Sequence, residues 1–244
     1  MITQYLTGHP GCIDTMKALV TAAEKGVDLE VTVVNVHKKE NEQPEYLQKV
    51  PTAAVPYLRD ADLIVYTAAG IVSYLDDKGF GPSLSPRNAI ARARMLQWID
   101  IGYQYVHPYA QALIEEHAYG GAGNVSIADK RREAGVALDA LEKYLSMDRV
   151  EGEARFTPRD TAHSTVYIVG LLSQADMHWA PYIHVFYATG VGDMVDARPK
   201  VKTWFDEHLK NHKSKASIIN TLTVLPSIED MKSGKFAKAF YQNG

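Results

Sequence analysis

A chain of 244 residues, 46% hydrophobic and 23% charged, has ordinary globular composition and enough length to bury a sizeable core. Its formal net charge of −3 supplies no basic field, so nucleic acid is excluded as the expected partner, and no apolar run approaches the roughly 20 residues a membrane span needs. The single cysteine, Cys12, excludes an internal disulfide and suits a reducing cytoplasm.

No cationic start with a small-residue cleavage site marks residues 1–20, so no signal peptide is expected, and no internal repeat or low-complexity tract stands out. Ile2 to Leu6 reads as a short strand, followed by a breaker-rich turn, Thr7-Gly8-His9-Pro10-Gly11-Cys12. From Ile13, apolar positions at Met16, Leu19, Val20 and Ala23 recur at helical spacing, and Gly26 is the stop signal. The β-branched run LEVTVVNV, Leu29 to Val36, predicts a second strand, and the polar segment His37 to Gln43 leads away from it.

The next stretch, Pro44 to Leu75, carries the most information. An apolar run ends in Val55-Pro56 and passes into the strand-like Tyr57-Leu58; a polar turn, Arg59 to Asp62, and a β-rich run, Leu63 to Tyr66, follow. Proline at the head of a strand donates no ladder hydrogen bond, so its edge must face something other than another strand. Only X-Pro bonds adopt the cis form cheaply, and Val55-Pro56 is the predicted cis bond; the plainer alternative is an edge-strand proline. From Thr67 the spacing turns helical, with Ile71, Val72, Tyr74 and Leu75. Strand, helix, strand, hairpin and helix is the order of a thioredoxin-like α/β unit ending near Asp77.

Cys12 stands where the first strand hands over to the first helix. Backbone N–H groups and the helix dipole there favour a thiolate, which is the nucleophilic form. The plain alternative for a lone cysteine is a small buried hydrophobe, and the breaker-rich turn argues against it. Asp14 suits the helix dipole as a first-turn acid, yet opposes thiolate formation if its carboxylate faces the sulfur.

Gly79 to Pro86, GFGPSLSP, reads as a linker, and the rest of the chain as helical. Asn88 to about His117 shows helical apolar spacing that Pro108 should kink or end. Gly120-Gly121-Ala122-Gly123 is a break with no strand before it, so it makes a weak phosphate loop; Ile127 to Leu145 is a further helix with a charged, solvated face. Thr157-Pro158-Arg159-Asp160 has the S/T-x-x-D capping pattern, and the apolar run Val166 to Leu172 is then the buried helix it starts. His208 and His212, four apart, and His178 and His184 lack a cysteine or close acid to complete a tetrahedral set, so no metal is expected.

The proline-headed hairpin running into a helix resembles the second half of a glutathione-transferase amino-terminal domain, and the resemblance extends along nearly the whole chain. It implies a thioredoxin-like α/β amino-terminal domain followed by an all-α helical domain, with residues 1–78 binding glutathione, 79–86 as linker and 87–244 binding substrate. Counted back from Lys17 and Gly26, Cys12 aligns with the catalytic cysteine of the omega and beta classes, where the Ser and Tyr classes use a hydroxyl. Cys12-Ile13-Asp14-Thr15 also resembles a glutaredoxin CxxC motif without its second cysteine. The resemblance assigns glutathione as co-substrate, held by Val55 and Pro56 at its cysteinyl part and by Thr67 and Ala68 at its γ-glutamyl carboxylate. Thr67-Ala68 departs from the usual Glu-Ser or Asp-Ser, a lost contact worth about 1–3 kcal/mol. Thr67 can still cap the helix.

The same resemblance makes His9, Tyr103, Tyr105, His107 and Tyr109 the pocket for a small hydrophobic or aromatic electrophile; a tyrosine stripe used in packing is the alternative. It implies a cytoplasmic homodimer catalysing conjugation, reductive dehalogenation, ether cleavage or isomerisation. The Met16-Lys17 pair and the Val55-Pro56 context look somewhat like tetrachlorohydroquinone dehalogenases, and Arg198 to Phe205 is similar to a later structural segment of the family. A thiol-disulfide oxidoreductase acting through Cys12, or a non-catalytic binding or assembly module, are the competing readings.

Overall fold

The computed structural model describes residues 4–9, 11–121, 124–147, 167–209 and 227–233, with the backbone alone at His208. Strand β1 (Gln4–Gly8) is central, pairing parallel with β2 (Leu29–Val33) and antiparallel with β3 (Tyr57–Asp60). Strand β4 (Leu63–Tyr66) completes the sheet in the order β2-β1-β3-β4. Leu6 sits opposite Leu58, and Leu58 opposite Val65. Leu6 and Leu58 are fully buried against Ala18 and Ala22 of helix α1 (Ile13–Glu24) and Ile71 and Leu75 of α3 (Ala68–Lys78). Each large side chain buried there contributes roughly 1.5–3 kcal/mol.

The first strand is described from Gln4, with Ile2 outside the described residues, and runs on through Thr7-Gly8 rather than ending at Leu6. The second strand stops at Val33, short of Val36. The Asn35 carboxamide accepts from the N–H groups of His37 and Lys38, which starts a tight turn at Val36–Lys38 and competes with the ladder. A short α2 (Pro44–Leu47) then leads to the Val55-Pro56 bond, which is cis.

Helices α4 (Ala89–Ile101) and α5 (His107–Tyr119) follow, joined without a break by a π-turn at Gly102–Val106. Pro108 follows directly on that π-turn, and the widened turn before it accommodates the ring and the missing N–H. Gly102 is required there, because a Cβ would lie 2.8 Å from the Trp179 indole nitrogen, which donates to the Trp98 carbonyl at 2.8 Å. The remaining helices are α6 (Ile127–Ser146), α7 (Gln174–Ala188), α8 (Asp193–Asp196), α9 (Pro199–Thr203), whose end runs into a π-turn at Trp204–Leu209, and α10 (Ile228–Lys232).

The buried helix is α7, not the Val166–Leu172 run. Tyr167 to Leu172 is a turn closed by a Tyr167–Gly170 bridge with Gly170 at φ 97°, and Val166 lies outside the described residues. The capping box belongs to Ser173-Gln174-Ala175-Asp176: the Asp176 carboxylate accepts from the Ser173 amide (2.9 Å) and hydroxyl (2.8 Å), and also from Ile168 N–H (3.1 Å) and Trp204 Nε1 (2.8 Å). Thr157 to Asp160 lies outside the described residues.

Candidate functional site

The turn from β1 to α1 is held from several sides. His9 N–H donates to Thr15 Oγ1 at 3.2 Å and Cys12 N–H to the His9 carbonyl at 3.0 Å. Gln111 of α5 reaches across: its Nε2 donates to Gly11 O at 3.0 Å and its Oε1 accepts from Ile13 N–H at 3.3 Å. Gly11 is glycine for want of room, since a Cβ would lie 2.9 Å from the Tyr119 hydroxyl and 3.3 Å from Ile114.

Cys12 is the N-cap residue of α1, partly exposed, and its Sγ–H donates to the Val55 carbonyl at 3.4 Å, beside the cis bond to Pro56. The lowered thiol pKa expected at a helix N-terminus meets an opposing effect. Burial pushes the thiol from 9.0 up to about 11, and Asp14 pushes the same way; the Thr15 and Asp14 N–H groups pull down and are outweighed. That direction favours the protonated thiol, the form that donates to the Val55 carbonyl.

Asp14 is turned to Lys17. The Lys17 side chain is wholly buried, with Nζ 2.8 Å from Asp14 Oδ1 and 3.4 Å from His107 Nδ1, and it lies over the rings of Tyr182 (4.8 Å) and Tyr103 (5.3 Å). Burial opposes its charge, and the Tyr182 hydroxyl and the Asp14 carboxylate outweigh that opposition. For Asp14, burial raises the carboxyl pKa, but Lys17 and then His107 bring it below the ordinary value. His107 stacks on Tyr103 at 4.9 Å; burial, reinforced by Lys17, lowers its pKa to about 4 and keeps it neutral. This cluster includes Lys17, which the pocket prediction left out. A lysine in phase with Ile13, Met16 and Val20 was the signal in the sequence, since that phase points into the core.

Thr67 caps α3, its hydroxyl accepting from Gly70 N–H at 3.4 Å, with φ 72°, a region a β-branched residue rarely enters. Ala68 behind it is buried.

Of the five predicted pocket residues, the structure groups His107 with Tyr103, and Tyr103 and Tyr105 are exposed. Two leave the pocket. His9 is only 1% exposed, its Nδ1 bonded to the Val34 carbonyl (3.1 Å) and its Nε2 to the Tyr119 hydroxyl (3.0 Å), and burial lowers its pKa to about 4; it is a structural tie between the sheet and α5. Tyr109 is equally buried, packed on Phe186 with its hydroxyl accepting from Arg131. Among the described residues no cluster of three or more His, Cys, Asp or Glu could hold a metal; His212 and the His208 side chain are outside them.

Comparison with known proteins agrees with this geometry. Residues 3–77 match the family described as "Glutathione S-transferase, N-terminal domain". The chain is 30% identical to glutathione S-transferase F9 of Arabidopsis thaliana over 171 residues, 66% of this chain and 79% of that protein. With glutathione S-transferase F13 of the same plant it shares 25% identity over 219 residues, 86% and 92% of the two. A solved structure of glutathione S-transferase III in apo form superposes with TM-score 0.73 at 23% identity, covering 92% of this chain and 97% of that one; this structural likeness speaks to the fold. With the sheet, the cis-proline edge and the match to F9 taken together, the chain belongs to the glutathione S-transferase family, enzymes that use glutathione as co-substrate.

Proposed function

We propose that this chain transfers glutathione to a small aromatic or unsaturated electrophile, with Cys12 activating the glutathione thiol as a hydrogen-bond donor rather than attacking as the nucleophile. The observation that carries the reading is the position of Cys12 Sγ at the head of α1, 3.4 Å from the Val55 carbonyl beside the cis bond to Pro56. A thiol that stays protonated at pH 7 is a poor nucleophile and a competent donor to a neighbouring thiolate. On this reading glutathione lies along Val55-Pro56, with its γ-glutamyl carboxylate at the N-terminus of α3 by Thr67 and Ala68. A strained Thr67 at a helix N-terminus supports that assignment, because strain of this kind is retained at ligand clamps. Residues 1–78 then form the glutathione-binding part and 87–244 the electrophile-binding part, with 79–86 as the linker.

The electrophile lies against Tyr103 and His107, and Tyr105 is at the rim. Exposed Leu63 and Tyr66 on the edge strand β4, with Ile90 and Leu96 on α4, support a homodimer that covers them. One cysteine and no helix apolar enough to span a membrane among the described residues fit a cytoplasmic setting. Conjugation is favoured over dehalogenation or deglutathionylation, because both of the latter use cysteine as a nucleophile.

Calorimetric titration with reduced glutathione, followed by conjugation kinetics, tests the reading. Binding in the micromolar to low-millimolar range is expected. Cys12→Ser retains most of kcat/KM because a hydroxyl can donate, while Cys12→Ala loses about 10- to 100-fold, the scale for one hydrogen bond to a charged group. Equal loss in both variants makes Cys12 the nucleophile, and no glutathione binding at several millimolar rejects the transferase reading.

A further inference from the structure

We propose that Gln111 is the positioning residue for Cys12: from α5 it ties both peptide planes beside the cysteine and so sets where the thiol points. This rests on the transferase reading and deepens it.

Each backbone group flanking the Cys12 Cα has a partner. Cys12 N–H donates to the His9 carbonyl at 3.0 Å, and the Cys12 carbonyl accepts from Met16 N–H at 3.2 Å. The Gly11 carbonyl and the Ile13 N–H meet a single side chain: Gln111 Nε2 donates to the first at 3.0 Å, and Gln111 Oε1 accepts from the second at 3.3 Å. Peptide groups are planar, so holding the plane before Cys12 and the plane after it restrains its φ of −105° and ψ of 120°. The direction of the Cα–Cβ bond is then fixed. The thiol keeps one rotor, which the bond to the Val55 carbonyl sets.

An N-cap side chain ordinarily spends its own oxygen on the first turn of the helix. Cys12 makes no such bond, and Ile13 N–H, an orphan donor of α1, is satisfied from α5 instead. The carboxamide fits only one way round, because Nε2 also donates to Glu115 Oε1 at 3.0 Å, one turn further along α5. Reversed, its oxygen would face the Gly11 carbonyl and the Glu115 carboxylate, and its NH2 would face the Ile13 N–H. Ile13 and Met16 of α1 share a buried apolar core with Ile114 of α5, so the helices have an interface without the amide. What the amide adds is the placement of the turn. A donor to a thiolate works only within hydrogen-bond reach, and a displacement of about 1 Å can cost on the order of 100-fold in rate. Gln111 acts through the Cys12 backbone and takes no part in bond making.

The test is a double-mutant cycle on glutathione conjugation to benzyl chloride, in which the glutathione sulfur displaces chloride and the thiol proton passes to water. Gln111→Met keeps the length of the side chain and loses both bonds. It should lower kcat roughly 10-fold and leave the glutathione KM within about twofold. In a Cys12→Ala background the same change should cost nothing further, because its effect passes through the thiol. An equal loss in both backgrounds marks a side chain that serves folding alone and overturns the proposal. A loss confined to KM, or no loss, overturns it too. Iodoacetamide alkylation of Cys12 needs no glutathione: at pH 7 Gln111→Met should react roughly 10-fold faster as the freed thiol returns towards its ordinary acidity, and an unchanged rate overturns the positioning role. Failure of the unmodified protein to bind glutathione rejects the transferase reading instead, and alkylation then decides on Gln111 by itself. Amide hydrogen exchange of the unmodified protein is independent of variant folding. Ile13 N–H should exchange slowly, as a bonded donor, and exchange at the rate of a free amide overturns the proposal.

Discussion

At the residue scale, Cys12 shows two opposing effects with a clear winner. A helix N-terminus lowers a thiol pKa, yet burial, and after it the nearby Asp14 charge, raises that of Cys12 further, to about 11. Alkylation of Cys12 by iodoacetamide should therefore accelerate about tenfold per pH unit from pH 7 to about 10 without levelling, since the thiolate fraction keeps growing below the pKa. A plateau below pH 9 contradicts the assignment. The position of Cys12 was legible from the breakers before it and the helical spacing after it, but the sign of its shift was not, because burial depends on Val55 and α5, far away in the chain. His9 shows the same limit: its place in a turn suggested a site, and contacts with Val34 and Tyr119 made it structural.

Among the elements, α7 is where local pattern misled. Two S/T-x-x-D patterns stand sixteen positions apart, and the one that caps the buried helix is Ser173 to Asp176. Asp176 accepts from four donors, two of them contributed by Ile168 and Trp204, and no local pattern encodes those. Asp176→Ala removes the box and strands buried donors, with an expected loss of roughly 3–5 kcal/mol in denaturant unfolding. Asp176→Asn, which keeps one acceptor oxygen, should lose less. Helix α1 was read correctly because its apolar stripe is wide, and the structure gives the reason: Ile13, Met16 and Val20 pack into the helical core while Ala18 and Ala22 pack on the sheet.

Across the whole molecule, a buried ion pair within the α/β part carries a hydrogen bond from the helices, beside the apolar core that α1 shares with them. Lys25 Nζ at the end of α1 lies 3.0 Å from Asp76 Oδ1 at the end of α3, and also donates to the Pro82 carbonyl. Asp76 accepts in addition from Leu84 N–H (2.8 Å) and from Gln174 Nε2 of α7 (3.1 Å). Burial raises the Asp76 carboxyl pKa, but those hydrogen bonds, from the Leu84 amide first, bring it below the ordinary 3.8. A depressed native value means that the stabilisation is fully present above the unfolded value and is lost as pH falls through the native one. Asp76→Ala should cost about 3–5 kcal/mol at pH 7, by leaving Lys25 buried and unpaired. The difference from the unmodified protein should shrink as pH falls below about 3.8, as read from urea midpoints. A pH-independent difference argues that packing, not charge, is what Asp76 contributes.

The sequence by itself determined what short-range chemistry specifies: strand and helix order, the cis bond at Val55-Pro56, the thiol at the head of α1 and the helical second half. Period, breakers and capping groups act over a few residues, so they can be read along the chain. Only the tertiary structure decided which polar side chains are buried and what faces them. Lys17 acquired Asp14 from its own helix but His107 from α5 and Tyr182 from α7, and that convergence set a buried lysine among a carboxylate, an imidazole and a phenol ring. Desolvation and charge pairing are fixed by neighbours in space, and for this site most of those neighbours lie far off in sequence.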